Sequence, residues 1–366
     1  MNVPFLDIRA TWDELADPLG EALLRVGSSG WYIGGPEVEA FERAYAEYVG
    51  ARHCIGVANG LDALTLSLAA MGVGPGDEVI VPSNTYIATW LAITAVGATI
   101  VPVEPDPSGW NLEPERVEAA ITPRTRVVLP VHLYGLPVDL PALAEVCARH
   151  GVRLLDDAAQ AHGAYVGGRR IGVGADATAW SFYPSKNLGA LGDGGAVTTD
   201  DEQLADDLRM RRNYGSRVKY HNEILGVNSR LDPLQAAVLR VKLAKLDEWN
   251  ARRVVLANHY LGGLEGLPLE LPVPVPDTRP VWHVFPVLVE DRAGVSAALR
   301  ERGVETLIHY PVPPHLQPAY AHLGWGEGTF PVSERLHARE LSLPIGPHLS
   351  LEQVDRVVDA LRSVFG

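Results

Sequence analysis

Lys186 lies in the stretch S181-F-Y-P-S-K-N-L-G-A-L-G-D-G-G-A196, among small and polar residues and ahead of several glycines. A lysine in such a loop is more often a solvated side chain than a catalyst. Two neighbours change the balance. Ser181 stands five residues before it, and Asp157 stands 29 residues before it, ending the buried-looking strand R153-L-L-D-D157. Amine, carboxylate and hydroxyl in this order meet the needs of pyridoxal phosphate (PLP). The cofactor takes a Schiff-base nitrogen, an acidic partner for its pyridine nitrogen, and donors for its phosphate.

Other segments offer the remaining contacts. V57-A-N-G-L-D-A-L64 reads as strand, turn and helix start, so the backbone N–H groups of Gly60 and Leu61 can meet an anion at a helix N-terminus. A plain strand-to-helix turn is the bland reading of the same residues. P82-S-N-T-Y-I-A-T89 opens a helix after a strand, with Tyr86 placed to stack on a ring and Thr85 to cap. Gln160 and His162 follow Asp157 by three and five residues and can flank the same ring. Of the aspartate pair, Asp156 is assigned the ordinary role of a helix cap or surface turn.

These residues need a scaffold, and the chain alternates accordingly. Apolar runs at 53–59, 78–82, 99–103, 125–131 and 152–156 read as strands. Between them lie helical stretches such as Pro36–Val49, Gly60–Met71, Thr85–Val96, Glu113–Ile121 and Asp139–His150. Near-continuous apolar strands separated by helices indicate an α/β fold with a mostly parallel sheet covered on both faces. Asp157 then falls at the carboxyl end of a strand, where open parallel sheets hold their ligands. An earlier helix is expected over Glu14–Val26, and one long helix from Asp232 to Trp249. Beyond the proline-rich segment 267–280, V281-W-H-V-F-P-V-L-V289 reads as a strand, followed by helices over Ala293–Arg302 and from Leu351. The expected division is a large cofactor-binding domain with an N-terminal arm over 1–250 and a smaller α+β domain over 251–366.

Composition narrows the function classes. With 366 residues and a net charge of −14, the chain has no basic stripe for nucleic acid or an anionic membrane. The densest basic stretch, Arg209–Lys219, reads on composition as a solvated face. Cys54 and Cys147 are too few for a disulfide framework and sit among apolar neighbours, as in a reducing compartment. The N-terminus lacks the pattern of a signal peptide, and the apolar stretch 87–103 is interrupted by Gly97 and Pro102. A cytoplasmic protein with no metal is the expectation.

Taken in order, V57-A-N-G-L-D-A-L, V81-P-S-N-T-Y-I-A-T, V131-H-L-Y-G, D157-A-A-Q-A-H-G-A, the Lys186 stretch, R212-N-Y-G-S and N228-S-R-L-D-P-L-Q-A-A span most of the chain. Together they resemble the nucleotide-sugar aminotransferases of the DegT/DnrJ/EryC1/StrS family, within the aspartate-aminotransferase fold type (PLP fold type I). The closest resemblance is to enzymes that aminate C3 of dTDP-3-keto-6-deoxyhexoses, the desosamine-pathway type. The resemblance implies Lys186 as the Schiff-base lysine, Asp157 as the pyridine-nitrogen partner, Gln160 near the ring hydroxyl and Tyr86 as the stacking aromatic. Gly60, Leu61 and Ser181 would hold the phosphate, joined by Asn228 from the neighbouring subunit of a homodimer. Tyr183, Arg217, Lys219, Tyr220, His309, Tyr310 and His315 would hold the sugar or its diphosphate. L-Glutamate would be the amino donor, and pyridoxamine phosphate (PMP) the aminated form of the cofactor. Ser185 departs from the glycine expected there. Alternatives are amination at C4, a cyclitol ketone as acceptor, and a non-catalytic regulator. The family's sugar dehydratases carry histidine in place of the lysine, and Lys186 argues against that reading.

Overall fold

The computed structural model describes residues 2–366. Seven strands form the central sheet: β1 (His53–Val57), β2 (Glu78–Pro82), β3 (Thr99–Val103), β4 (Thr125–Val128), β5 (Arg153–Asp157), β8 (Ala177–Ser181) and β9 (Gly195–Thr199). Two-residue strands β6 (Tyr165–Val166) and β7 (Arg169–Arg170) make a hairpin outside it. The sheet order is β1-β9-β8-β5-β4-β2-β3. Every neighbouring pair is parallel except those of β9, which runs against both β1 and β8. The carboxyl ends of β1, β2, β5 and β8 therefore share one edge of the sheet. That edge is where the expected site residues converge, since Gly60, Tyr86, Asp157 and Ser181 end or follow those strands.

Local chemistry sets many boundaries. Pro36 opens the helix Pro36–Val49, and Gly50, in the left-handed region at φ 85°, ends it. Asp139 and Asp201 cap the helices that follow them by accepting backbone N–H bonds. Trp180 is fully buried beneath the sheet edge, with the Tyr45 ring edge-on at 5.3 Å. In the C-terminal region, Phe285–Leu288 and Glu340–Leu343 pair antiparallel. The helix Leu351–Phe365 begins with a Ser350–Gln353 capping box and buries the stripe Val354, Val357, Val358 and Leu361.

Several expectations change. The predicted 232–249 helix is two helices, Pro233–Leu243 and Leu246–Gly263. The first packs on Ala16–Ser29 and Pro36–Val49, the second on Leu351–Phe365, and one straight cylinder cannot serve both directions. Asn250 lies inside the second helix. The N-terminal helical stretch is split at Leu15 into Ile8–Glu14 and Ala16–Ser29. The strand expected over 281–289 keeps only Phe285–Leu288. The apolar stretch 87–103 is, as expected, a helix, Ile87–Ala95, followed by the strand β3. Among the described residues no helix is long and apolar enough to cross a membrane.

Candidate active site

A cavity of about 520 Å³ opens at the carboxyl edge of the sheet. Gly60, Leu61, Tyr86, Asp157, Gln160, Ser181, Tyr183, Lys186, His309 and Tyr310 all line it. Residues more than 240 positions apart in the chain thus meet around one space.

The carboxylate end is built for charge. Asp157 ends β5 and is buried. Its Oδ2 accepts from Thr89 Oγ1 at 3.1 Å, and its Oδ1 from the Ala159 N–H at 3.1 Å. Burial pushes the carboxyl above its ordinary range, against the pull of the Ala159 N–H, the Lys186 charge and Thr89. Burial outweighs these partners, and a protonated pyridine nitrogen would add counter-charge. Lys186 sits half-buried in the cavity wall. Burial pulls its ammonium down to about 8, while the Asp157 charge holds it up. Such a lysine releases its proton near neutral pH and can act as nucleophile and base.

The phosphate end has unused donors. Asn59 precedes the helix Gly60–Ala70 and caps it, its Oδ1 accepting from the Asp62 N–H at 2.8 Å. The Gly60 and Leu61 N–H groups, in the first turn, have no acceptor among the described residues. Gly60 is required by a close approach: a Cβ there would come within 2.6 Å of the Ser181 Cβ. Helix start and strand end therefore touch, and their donors face one point. This donor set, with the amine and the carboxylate at the opposite end, fits PLP.

The aromatic wall and its supports come from distant segments. The Tyr86 ring is half exposed, 4.7 Å from the Tyr310 ring, at the start of the helix Ile87–Ala95. Gln160 Nε2 donates to the Tyr310 hydroxyl at 3.2 Å, and its Oε1 accepts from the Tyr134 N–H. Ser185 also lines the cavity.

Other expected residues stand elsewhere. His315 is fully buried, with Nε2 3.0 Å from Glu334 Oε1 and its ring against Phe330; it does not reach the cavity. His162 is buried behind the site against Trp180 and Phe182. Thr85 bonds to Thr89 at 2.9 Å instead of capping, and Tyr86 holds the N-cap position. Asp156 is neither cap nor turn. It is completely buried, and His132 Nε2 lies 2.8 Å from its Oδ1. His132 Nδ1 accepts from the Val138 N–H at 3.0 Å, so its proton sits on Nε2 and is given to Asp156.

Asn228, Arg217, Lys219 and Tyr220 lie outside the Lys186 cavity of their own chain. Arg217 donates to Glu223 at 2.6 Å and borders a second cavity of about 560 Å³, together with Ile33, Arg212 and Arg230. The Lys219 ammonium lies over the Tyr220 ring, itself 89% exposed, and Asn228 is exposed as well. Sequence reasoning missed Thr89, His283 and Asn59 as parts of the site. Thr89 carried a signal, since it stands four residues after Thr85 in a helix beginning beside the sheet edge.

Known proteins of similar sequence and fold give the family. The model of the DegT/DnrJ/EryC1/StrS aminotransferase family matches residues 15–362. The chain is 57% identical over 362 residues to a dTDP-3-amino-3,4,6-trideoxy-alpha-D-glucose transaminase of Streptomyces venezuelae, covering 99% of this chain and 96% of that protein. Its fold superposes with TM-score 0.97 on the crystal structure of S. venezuelae DesV in complex with a ketimine intermediate, at 57% identity and covering 99% and 98% of the two chains. It also matches NtdA from Bacillus subtilis with bound cofactor PMP, at TM-score 0.92 and 35% identity, covering 100% of this chain and 85% of that one. The chain belongs to the DegT/DnrJ/EryC1/StrS aminotransferase family, and it is a PLP-dependent aminotransferase.

Proposed function

We propose that the enzyme transfers the amino group of L-glutamate to the C3 ketone of a dTDP-linked keto-6-deoxyhexose in amino-sugar biosynthesis. The observation that carries the reaction type is the single cavity shared by Lys186, Asp157 and the free N–H groups of Gly60 and Leu61. The sugar rests on the likeness to the S. venezuelae transaminase. PLP supplies a carbonyl that takes up the amino group and a cationic ring that delocalises the electron pair left at Cα. Asp157 keeps the ring nitrogen protonated. Gly60, Leu61 and Ser181 anchor the phosphate, and Tyr86 covers the ring face. Lys186 Nζ holds the cofactor at rest, then takes the Cα proton of glutamate; in the second half of the cycle it delivers a proton to the sugar carbon.

Glutamate alone is expected to bleach the visible band of the lysine-bound cofactor, and a 3-keto sugar nucleotide to restore it. Bleaching only by another amino acid would remove glutamate as donor. Restoration by a 4-keto sugar nucleotide or a cyclitol ketone, and not by the 3-keto compound, would favour those acceptors instead. A regulator without catalysis would show neither change, and the lowered Lys186 ammonium gives such a protein no use.

We further propose a cytoplasmic homodimer in which Asn228 serves the partner's phosphate site. Trp31, Tyr32, Ile33, Tyr214, Val218 and Leu225 are exposed on the arm and on the 214–227 segment, a set of large apolar side chains that a second copy would cover. Asn228 does not line its own chain's cavity, as a contribution in trans requires. Mixing Asn228→Ala with Lys186→Ala, each inactive or weak alone, should recover activity through hybrid dimers. A monomer mass by light scattering, or no recovery on mixing, would reject the arrangement.

A further inference from the structure

Behind the cavity wall, Glu340 and Ser342 form a buried polar pair whose role the reaction above does not use. They stand two residues apart on the strand Glu340–Leu343, so their side chains share one face. The same strand bridges Leu307, with the Ser342 N–H donating to Leu307 O at 2.8 Å, and this fixes the backbone leading to His309. Both side chains are essentially without solvent contact. Glu340 Oε2 accepts from the His309 N–H at 2.6 Å, and Oε1 accepts from the Ser342 hydroxyl. The Ser342 oxygen lies 2.8 Å from His309 Nδ1. The ring is further held by Phe5, stacked at 5.8 Å, and the His309 carbonyl accepts from Tyr134 OH at 2.8 Å.

With Glu340 ionised, proton accounting in this chain leaves one arrangement. A carboxylate has no proton to give, so the Ser342 hydroxyl must spend its own on Glu340. The serine oxygen is then an acceptor, and His309 must bring the proton on Nδ1. The second ring nitrogen, Nε2, has no partner among the described residues, and His309 lines the cavity. We propose that Glu340, acting through the Ser342 hydroxyl, is a positioning residue that locks His309 in the Nδ1–H form and presents Nε2 to the cavity as a hydrogen-bond acceptor. The ligand it serves is an O–H or N–H donor on the bound substrate. Two further features agree. Burial and the Lys186 charge pull the imidazolium down to about 4, so the ring is neutral and has a lone pair to offer. Burial raises Glu340 to about 7 against the Ser342 and His309 hydrogen bonds and the Arg292 charge, so above that pH it is the carboxylate the relay needs.

The tautomer stands independently of the reaction; only its effect on turnover rests on the aminotransferase reading. Holoenzyme carrying nitrogen-15 histidine, examined by long-range proton–nitrogen correlation at about pH 8.5, reads the tautomer directly. His309 signals are assigned by their loss in His309→Gln. Wild type should show a protonated Nδ1 and a bare Nε2. Glu340→Gln should invert this: the amide NH₂ donates to Ser342, the hydroxyl turns to Nδ1, and the proton moves to Nε2. Ser342→Ala, which removes the relay atom with little change of volume, should leave a mixture of both forms. With the cofactor band intact, Glu340→Gln should lower kcat/KM by about tenfold in the half-reaction whose substrate donates to Nε2. A loss confined to the glutamate half identifies an N–H donor, and one confined to the keto-sugar half a sugar hydroxyl. A bare Nδ1 in wild type, or a tautomer unmoved by both substitutions, overturns the relay. An inverted tautomer with both half-reactions unchanged overturns its part in substrate binding. An inactive wild type with the expected tautomer would refute the aminotransferase reading and leave the relay standing.

Discussion

Lys186→Ala should abolish the visible absorbance of the lysine-bound cofactor and lower transamination by at least about a thousandfold. The effect is large because one nitrogen has two duties. In the proposed reaction Nζ would hold the cofactor at rest and would move the proton taken from Cα in turnover. Burial prepares it for both by bringing its ammonium to about 8, where a useful fraction is neutral. Alanine removes nucleophile and base together, and no neighbour replaces them. His162 is sealed behind Trp180, and His309 is a weak base of about 4. The phosphate donors of Gly60, Leu61 and Ser181 are untouched, so the variant should still bind PLP non-covalently. A Lys186→Ala protein that forms a borohydride-stable adduct would assign the covalent link to another residue.

Asp157→Asn should leave the fold and the cavity intact and slow the glutamate half-reaction by roughly a hundredfold or more. The amide has the shape of the carboxylate but cannot keep the ring nitrogen protonated, so the ring loses its capacity as an electron sink. The site marks this position as one that needs charge. Burial raises the carboxyl, and the Ala159 N–H, Lys186 and Thr89 work to keep it ionised. A second readout has a definite sign. Asp157 is the charge that holds the Lys186 ammonium up against burial, so the substitution should lower the Lys186 titration in apoenzyme below about 8. Unchanged turnover, or a lysine titration that rises, would remove Asp157 from the role.

Much of this was legible in the chain because it is local. Helix starts at Pro36 and Gly60 depend on nearby residues, and the five-residue strands β1, β2, β3 and β5 with their apolar centres are short-range patterns. Parallel strands then send every carboxyl end to one edge, so Asp157, Ser181 and Gly60 were readable as neighbours without a structure. The ordered motifs extended this to reaction type.

What the sequence could not carry was decided by packing between distant segments. Asp156 and Asp157 are adjacent and chemically identical, yet strand alternation sends one to His132 and the other to the cavity. His309 and His315 lie in one proline-rich loop; the first faces the cavity, and the second is buried against Glu334 and Phe330. The turn between Leu243 and Leu246 exists because two different helix surfaces must each be met. The sequence by itself determined the lysine, its carboxylate and the sheet that holds them, because these follow from period and local turn chemistry. Only the tertiary structure decided which of the equivalent side chains enter the site, because burial and hydrogen-bond partners are set by residues hundreds of positions away.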